Sequence, residues 1–277
     1  MTAVLTAAER ILQSLGVTDP KEIDLQAIAW TQGVVVNYRP LDGCEARIIG
    51  SSRKAVISVN SRSPERRRRF SLAHELGHWH HHRGRVLFCG KDDIGNFAND
   101  ALNPERHADT FASDLILPNY LLIPRIETLK RVTLAAAREV SDEFCASLTA
   151  TLLKMTLSNE FPIVIACYNT TTRRWFERAP MIQPWWFPVK VLDWQTFAAD
   201  MLFNGATEEN FPRKMPAGAW FDFKGSDRFE VAEQSFLLSC RNSLPFLPSA
   251  IARTVSYASS SPSSSRSPPP RRPLPSR

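Results

Sequence analysis

Hydrophobic spacing in the N-terminal part of the chain predicts two short helices followed by three strands. Residues 5–15 and 23–31 carry apolar residues three and four positions apart, as an amphipathic helix does, and Gly33 can end the second helix. Short runs rich in β-branched residues then predict strands at VVVNY (34–38), ARIIG (46–50) and AVISVN (55–60). The SSRK turn joins the last two strands, so we expect them to form a hairpin.

A Ser-Pro pair and an Asn-Pro pair predict the starts of two further helices. The Ser-Pro pair at 63–64 supplies an N-cap and a first helical residue, opening a helix that runs to about His82. The Asn-Pro pair at 103–104 opens a second helix that should end before Pro118. Residues 84–102 contain Gly, Asp and Asn without periodicity, which predicts a loop between the two helices.

Residues 119–157 have mostly helical patterning. Within them, residues 134–148 are similar to a helix–turn–helix with its turn at Val140-Ser141. Because no basic recognition helix accompanies the pattern, packing is favoured over DNA reading.

The amino-acid composition of the chain changes near residue 158 and becomes richer in aromatic residues. Residues 161–180 predict a strand–turn–strand, and from about residue 246 the sequence is rich in Ser, Pro and Arg, a composition that favours disorder. We therefore predict an α+β protein with a first domain at 1–157, a smaller α+β domain at 158–245 and a disordered tail at 246–277. The tryptophans of the second part favour a core over a binding face; they are Trp175, Trp185, Trp186, Trp194 and Trp220.

The net charge of +6 does not indicate nucleic-acid binding, because five arginines in residues 251–277 supply most of it. The run Arg66–Arg69 could attract an acidic partner, but on a helix its side chains spread around the axis, which favours a solvated first turn. No apolar run reaches a membrane-spanning length, and the start lacks the pattern of a secretion signal. The five scattered cysteines predict reduced thiols, and together these features predict a cytoplasmic protein.

The segment HELGH (74–78) predicts a metal site on the first of the two capped helices. His74 and His78 lie four residues apart and therefore on one face, where both imidazoles can reach the same ion. Glu75 lies at the rim of that face, where its carboxylate can accept a proton without binding the metal. The neighbouring histidines at 80–82 are better explained as the polar end of the helix.

A catalytic zinc site needs a third protein ligand. The extended HExxHxxGxxH pattern fails, because position 84 is glycine. The second capped helix offers Glu105, which is favoured as the ligand over His107, and Asp109 could accept the free N–H of a ligand histidine.

These residues resemble the ImmA/IrrE-type zinc metallopeptidases over residues 5 to 157. The resemblance rests on GVVVNY, AVISVN, FSLAHELGHW and ERHADTFASDLILP, the last being similar to the family's E-x-E-A-N-x-F-A-x-x-L-L-M-P segment. It implies a zincin-like fold and one Zn²⁺ held by His74, His78 and Glu105, with Glu75 as the catalytic acid/base. The chain departs from the family at 107, 109 and 116–117, where histidine, aspartate and Ile-Leu stand.

The resemblance also implies a function. We expect a zinc-dependent endopeptidase that cleaves a specific helix–turn–helix transcriptional repressor in a stress or mobile-element response, without binding nucleic acid itself. The competing hypothesis is a zincin-shaped module that sequesters a DNA-binding regulator without cutting it, although an intact Glu75 argues against that. Tyr120 and His107 are the candidates for a second oxyanion donor.

Overall fold

A computed structural model describes residues 4–51, 53–82, 104–238 and 249–254 of the chain. Within these residues the protein is α+β, as the sequence predicts, with two sheets and eight α-helices. The helices are α1 (Ala7–Ser14), α2 (Leu25–Thr31), α3 (Glu65–His82), α4 (Pro104–Ile116), α5 (Asn119–Glu127), α6 (Leu134–Glu143), α7 (Leu148–Leu157) and α8 (Phe197–Phe203). The strands are β1 (Val34–Arg39), β2 (Ala46–Gly50), β3 (Ala55–Asn60), β4 (Val164–Tyr168), β5 (Arg173–Arg178), β6 (Arg213–Pro216), β7 (Glu230–Leu238) and β8 (Ser249–Thr254).

The first sheet has the strand order β1-β3-β2. Strand β3 pairs with β1 in parallel and with β2 in antiparallel register, so the predicted hairpin is confirmed. The central strand β3 is buried along most of its length, whereas β2 lies at an edge of the sheet. Helix α3 follows β3 and packs against the sheet, burying Leu72, Ala73 and Leu76.

Helix α3 begins one residue later than the Ser-Pro pair predicts, and Ser63 is not its cap. The Ser63 hydroxyl donates a hydrogen bond to the Glu45 carboxylate instead. Tertiary contact with the loop before β2 therefore replaces the local capping interaction. The loop predicted at 84–102 and the cap at Asn103 lie outside the described residues.

The arginine run at the start of α3 is partly exposed, and three of its four side chains also contact neighbouring residues of the fold. Arg66 donates to the Ser141 hydroxyl and pairs with Asp142, which ties α3 to α6. Arg69 donates to the carbonyl of Ile23, and the Arg68 guanidinium lies 5.7 Å from the centre of the Tyr38 ring. Helical geometry spreads these partly exposed side chains over several neighbouring elements.

The turn expected at Val140-Ser141 is misplaced. Helix α6 continues through both residues to Glu143, where buried Val140 and Ser141 form part of its packed face. The turn comes at residues 144–147, where Cys145 adopts a positive φ of 48° and the Ala146 amide donates to the Ser141 carbonyl. The apolar Phe144 is fully buried at this turn, so its burial fixes the place where the chain reverses.

The second sheet has the order β5-β4-β8-β7-β6, with all neighbours antiparallel. Strand β8 lies in the middle, although the sequence predicts disorder from residue 246. This part of the prediction was wrong because backbone pairing with β4 on one side and β7 on the other orders residues 249–254. The Ser/Pro/Arg-rich stretch after residue 254 lies outside the described residues.

Strand β4 separates two hydrophobic cores. Its alternate residues Ile165 and Cys167 belong to the larger core with α1–α7, whereas Val164, Ala166 and Tyr168 belong to the smaller one. One face of the second sheet therefore packs against the helices that precede it. The domain boundary near residue 158 stays a prediction.

The tryptophans of the second part divide between core and surface. Trp186 and Trp220 are buried in the smaller core, and Trp175 packs against the larger one. Trp185 and Trp194 are 55% and 82% exposed.

Nowhere in the described part of the chain is a helix both long and apolar enough to cross a bilayer.

Candidate metal centre

Helices α3 and α4 bring two histidines and a glutamate together. His74 and His78 lie one turn apart on α3, and their Nε2 atoms are 3.0 Å from each other. Glu105, in the first turn of α4, places Oε2 3.1 Å from His74 Nε2 and Oε1 3.4 Å from His78 Nε2. All three ligand atoms lie within 4.8 Å of one another, which is close enough for one ion to contact them all.

A second carboxylate holds the first histidine in place. Asp109, one turn after Glu105 on α4, lies with Oδ1 2.9 Å from His74 Nδ1, and both residues are buried. An Nδ1–H that donates to a carboxylate leaves Nε2 as the nitrogen that can bind a metal.

Glu75 occupies a different environment from the other acids. Its side chain is fully buried, and neither carboxylate oxygen has a hydrogen-bond partner among the described residues. Burial raises the pKa of Glu75 to about 7, although His74 and His78 oppose the shift. A carboxyl group that titrates near neutrality is suited to accept and return a proton.

The charges of His74 and Glu105 are strongly coupled. Burial lowers the pKa of His74, but the hydrogen bonds to Asp109 and Glu105 outweigh it and raise the pKa to about 9. Burial raises the pKa of Glu105, but the hydrogen bonds with His74 and His78 outweigh it and hold the pKa well below its ordinary value. A carboxylate that stays ionised beside two imidazoles is a suitable ligand for a divalent cation.

Tyr120 and His107, the two predicted oxyanion donors, contact residues outside the group formed by His74, His78 and Glu105. The Tyr120 hydroxyl donates to the carbonyl of Val17 at 2.9 Å, so it would have to break this bond before serving as an oxyanion donor. His107 is exposed, and its ring centre lies 5.7 Å from that of His81. His80 stacks on Phe111 at 5.1 Å. The role of Tyr120 or His107 as an oxyanion donor stays a prediction.

Gly77 is a positioning residue that the sequence reasoning missed. A Cβ atom at this position would come within 2.8 Å of the Ala108 Cα and 2.9 Å of the Ala108 carbonyl oxygen. The absence of a side chain thus lets α3 and α4 approach closely, with Glu105 and Asp109 flanking Ala108 along α4. A glycine inside a helix lowers the stability of that helix. The glycine in the HELGH segment is therefore a sequence signal for a close packing contact at Gly77.

The donor set fits a zinc ion. Two imidazole nitrogens and one carboxylate oxygen are a ligand combination that catalytic zinc sites use, and a fourth position remains for water or substrate. The buried Glu75 carboxylate, which lacks a hydrogen-bond partner in the described part of the chain, adjoins this group. The residues present therefore fit the metal that the sequence implies.

Comparison with known proteins agrees with this geometry. Residues 29–154 match the model of a peptidase family, M78, described as the IrrE N-terminal-like domain. This match supports the resemblance of residues 29–154 to the ImmA/IrrE-type family. All of the site residues described above lie within the matched segment of this IrrE-like domain.

A solved structure shares the fold over a longer part of the chain. It is described as a Mycobacterium tuberculosis transcriptional regulator, with a TM-score of 0.61 and 14% sequence identity, and the likeness covers 90% of this chain and 74% of that one. No curated protein matches the sequence. At this identity the likeness concerns the fold alone.

Proposed function

We propose that this IrrE-like protein is a zinc-dependent endopeptidase. The observation that carries the proposal is the buried carboxylate of Glu75, which has no hydrogen-bond partner among the described residues and lies beside the His74, His78 and Glu105 group. Burying a carboxylate without a hydrogen-bond partner costs free energy, and a purely structural site has no use for one. A hydrolase does, because its water nucleophile has to lose a proton.

Each residue has a distinct role in the proposed reaction. His74, His78 and Glu105 hold the zinc, and Asp109 fixes the ring orientation of His74. When bound, zinc would supply Lewis acidity that lowers the pKa of a water and polarises the scissile carbonyl. Glu75 takes a proton from the attacking water and delivers it to the leaving amine, for which its pKa of about 7 is well placed.

Strand β2 offers a place for the substrate backbone. It lies at an edge of the first sheet, next to the helix that carries His74 and His78. An extended peptide segment can pair with such an edge through main-chain hydrogen bonds. This supports a protein substrate rather than a small amide.

For the substrate we propose a specific helix–turn–helix transcriptional repressor, cleaved in response to stress or to a mobile-element signal. The resemblance to the ImmA/IrrE-type peptidases supports this, and so does the fold shared with a protein described as a transcriptional regulator. The competing function is metal-independent sequestration of such a regulator. The buried Glu75 carboxylate, without a hydrogen-bond partner in the described part of the chain, favours cleavage over sequestration, since binding alone needs no general base.

The Glu75→Gln variant separates these two functions. Co-expression of wild-type protein with helix–turn–helix repressors encoded nearby should yield repressor fragments and relieve repression, whereas Glu75→Gln should keep its zinc and fold but yield none. Glu65→Gln, at an exposed position of the same helix, is the matched control and should cleave normally. Derepression by Glu75→Gln without fragments would establish the sequestering function instead.

A further inference from the structure

A cavity lies between helices α3, α4, α5 and α7. Its volume is about 570 Å³, and its walls are mainly apolar, with Phe70, Ile116, Ile123 and Leu153 contributed by the four helices in turn. Asp109 lines it as well, but His74, Glu75 and His78 do not. The cavity is therefore a separate binding space that adjoins the metal centre through Asp109.

Among the residues that the structure describes, the charges around the cavity leave one cation without a counter-charge. Asp114 pairs with Lys154 inside the wall, Asp109 is bonded to His74, and Arg66 is paired with Asp142. Arg67 also lines the cavity and is half-buried, yet it forms no ion pair within the described part of the chain. A half-buried guanidinium beside an apolar space favours an anionic group on whatever fills that space.

An uncharged polar group lies in the same wall. The Oδ1 atom of Asn119 is buried and has no hydrogen-bond partner among the described residues. Because the oxygen and nitrogen of an amide exchange places on a 180° rotation, this side chain can present its NH₂ group to an anion. Asn119 and Arg67 therefore both line the cavity as polar groups that a ligand can contact.

We propose that this cavity binds a medium-chain aliphatic carboxylate, with the hydrocarbon against the apolar walls and the carboxylate at Arg67. The volume is in the range of small-molecule sites, and apolar walls with few polar groups are typical of them. The site is independent of the proposed peptidase reaction. It can therefore be tested on metal-free protein without any measurement of cleavage.

The test is calorimetric titration of metal-free protein with hexanoate, octanoate and decanoate. Affinity should rise about fourfold for each added methylene, since burying one contributes about 0.8 kcal/mol. Decanoate should bind at least about tenfold more tightly than decylammonium, because a charge-assisted hydrogen bond contributes about 1.5–3 kcal/mol. Equal binding of the two probes, or no dependence on chain length, would overturn the proposal.

Two variants locate the binding. Arg67→Ala should weaken decanoate binding about tenfold or more, whereas Arg131→Ala, which removes an exposed arginine away from the cavity, should not. Ala150→Trp should fill the cavity and abolish binding. If Ala150→Trp does not fold, the Arg67→Ala result decides, and unchanged affinity in that variant refutes the site.

Discussion

Glu75 and His74 both hold their protons to a higher pH than usual, but for different reasons. Burial raises the pKa of the Glu75 carboxyl from 4.5 to about 7. For His74, burial acts in the opposite direction, and the carboxylates of Asp109 and Glu105 raise the pKa from 6.5 to about 9. In both cases the folded, metal-free protein binds the proton more tightly than the unfolded chain does.

We therefore expect the free energy of unfolding of the metal-free protein to fall as the pH rises from about 5 to about 9. Glu75 contributes stability that is lost between its unfolded and folded pKa values, from 4.5 to about 7. His74 contributes stability that is lost between 6.5 and about 9. Urea unfolding at a series of pH values measures the effect.

The Glu75→Gln variant is the control for this pH dependence. It should lose the decline between pH 4.5 and 7 and keep the decline above it, because only the Glu75 titration is removed. A wild-type stability that rises steadily over this whole interval would show that the two groups are not protonated as described.

We predict that Asp109 affects zinc affinity through its contact with His74. Asp109→Asn should lower zinc affinity about 10- to 100-fold, as the loss of a carboxylate partner does at other histidine ligands. Thr110→Ala, at the next and exposed position of α4, should leave the affinity unchanged. Competition with a chromogenic zinc chelator measures both, and equal affinities for Asp109→Asn and wild type would contradict the role of Asp109.

At the scale of elements, the site depends on how closely α3 and α4 pack. His74 and His78 come from α3, whereas Glu105 and Asp109 come from α4, and Gly77 faces Ala108 between them. The helical periodicity of the sequence places each pair of residues on one face of its own helix. The distance between the helices is set by the missing side chain at position 77.

Gly77→Ala should push the two helices apart. Its Cβ would meet backbone atoms of Ala108 at 2.8 and 2.9 Å, which cannot move aside as a flexible side chain could. We expect a loss of about 1–3 kcal/mol in stability, despite the better helix propensity of alanine, together with weaker zinc binding. Thermal unfolding and zinc titration test this, with Glu65→Ala on the exposed start of α3 as the control.

A stable Gly77→Ala protein with unchanged zinc affinity would show that α4 tolerates the displacement. It would also show that the close approach at Ala108 does not position Glu105.

At the scale of the whole molecule, the second sheet depends on a strand from near the end of the chain. Strand β8 pairs with β4 and β7, so its removal would leave both of these neighbours with unpaired backbone groups. Strand β4 also carries residues of the larger core. Damage to the second sheet should therefore reach the helices that surround the metal site.

Two truncations test this dependence. Ending the chain after residue 256 removes the Ser/Pro/Arg-rich stretch, whose composition predicts little apolar burial, and should change the melting temperature little. Ending it after residue 248 also removes β8 and should lower the melting temperature by many degrees or prevent folding. Equal melting temperatures for the two variants would refute a structural role for β8.

The sequence by itself determined the elements and chemistry that local patterns encode. Strands β1 to β3 are predicted from alternating and β-branched runs, and the spacing of His74 and His78 places both imidazoles on one helical face. The α+β class and the ImmA/IrrE-type family were predicted in the same way, because both follow from short contiguous segments.

Only the tertiary structure decided the features that depend on residues far apart in the chain. The burial of Glu75, and the choice of His74 rather than His78 as the histidine that Asp109 contacts, depend on how α4 packs on α3. The strand β8 requires partners that lie 11 to 90 residues earlier in the chain, and this pairing outweighs the local composition that predicts disorder. Packing and backbone pairing between segments that are far apart in the chain contribute free energy that cannot be inferred from a short stretch of sequence.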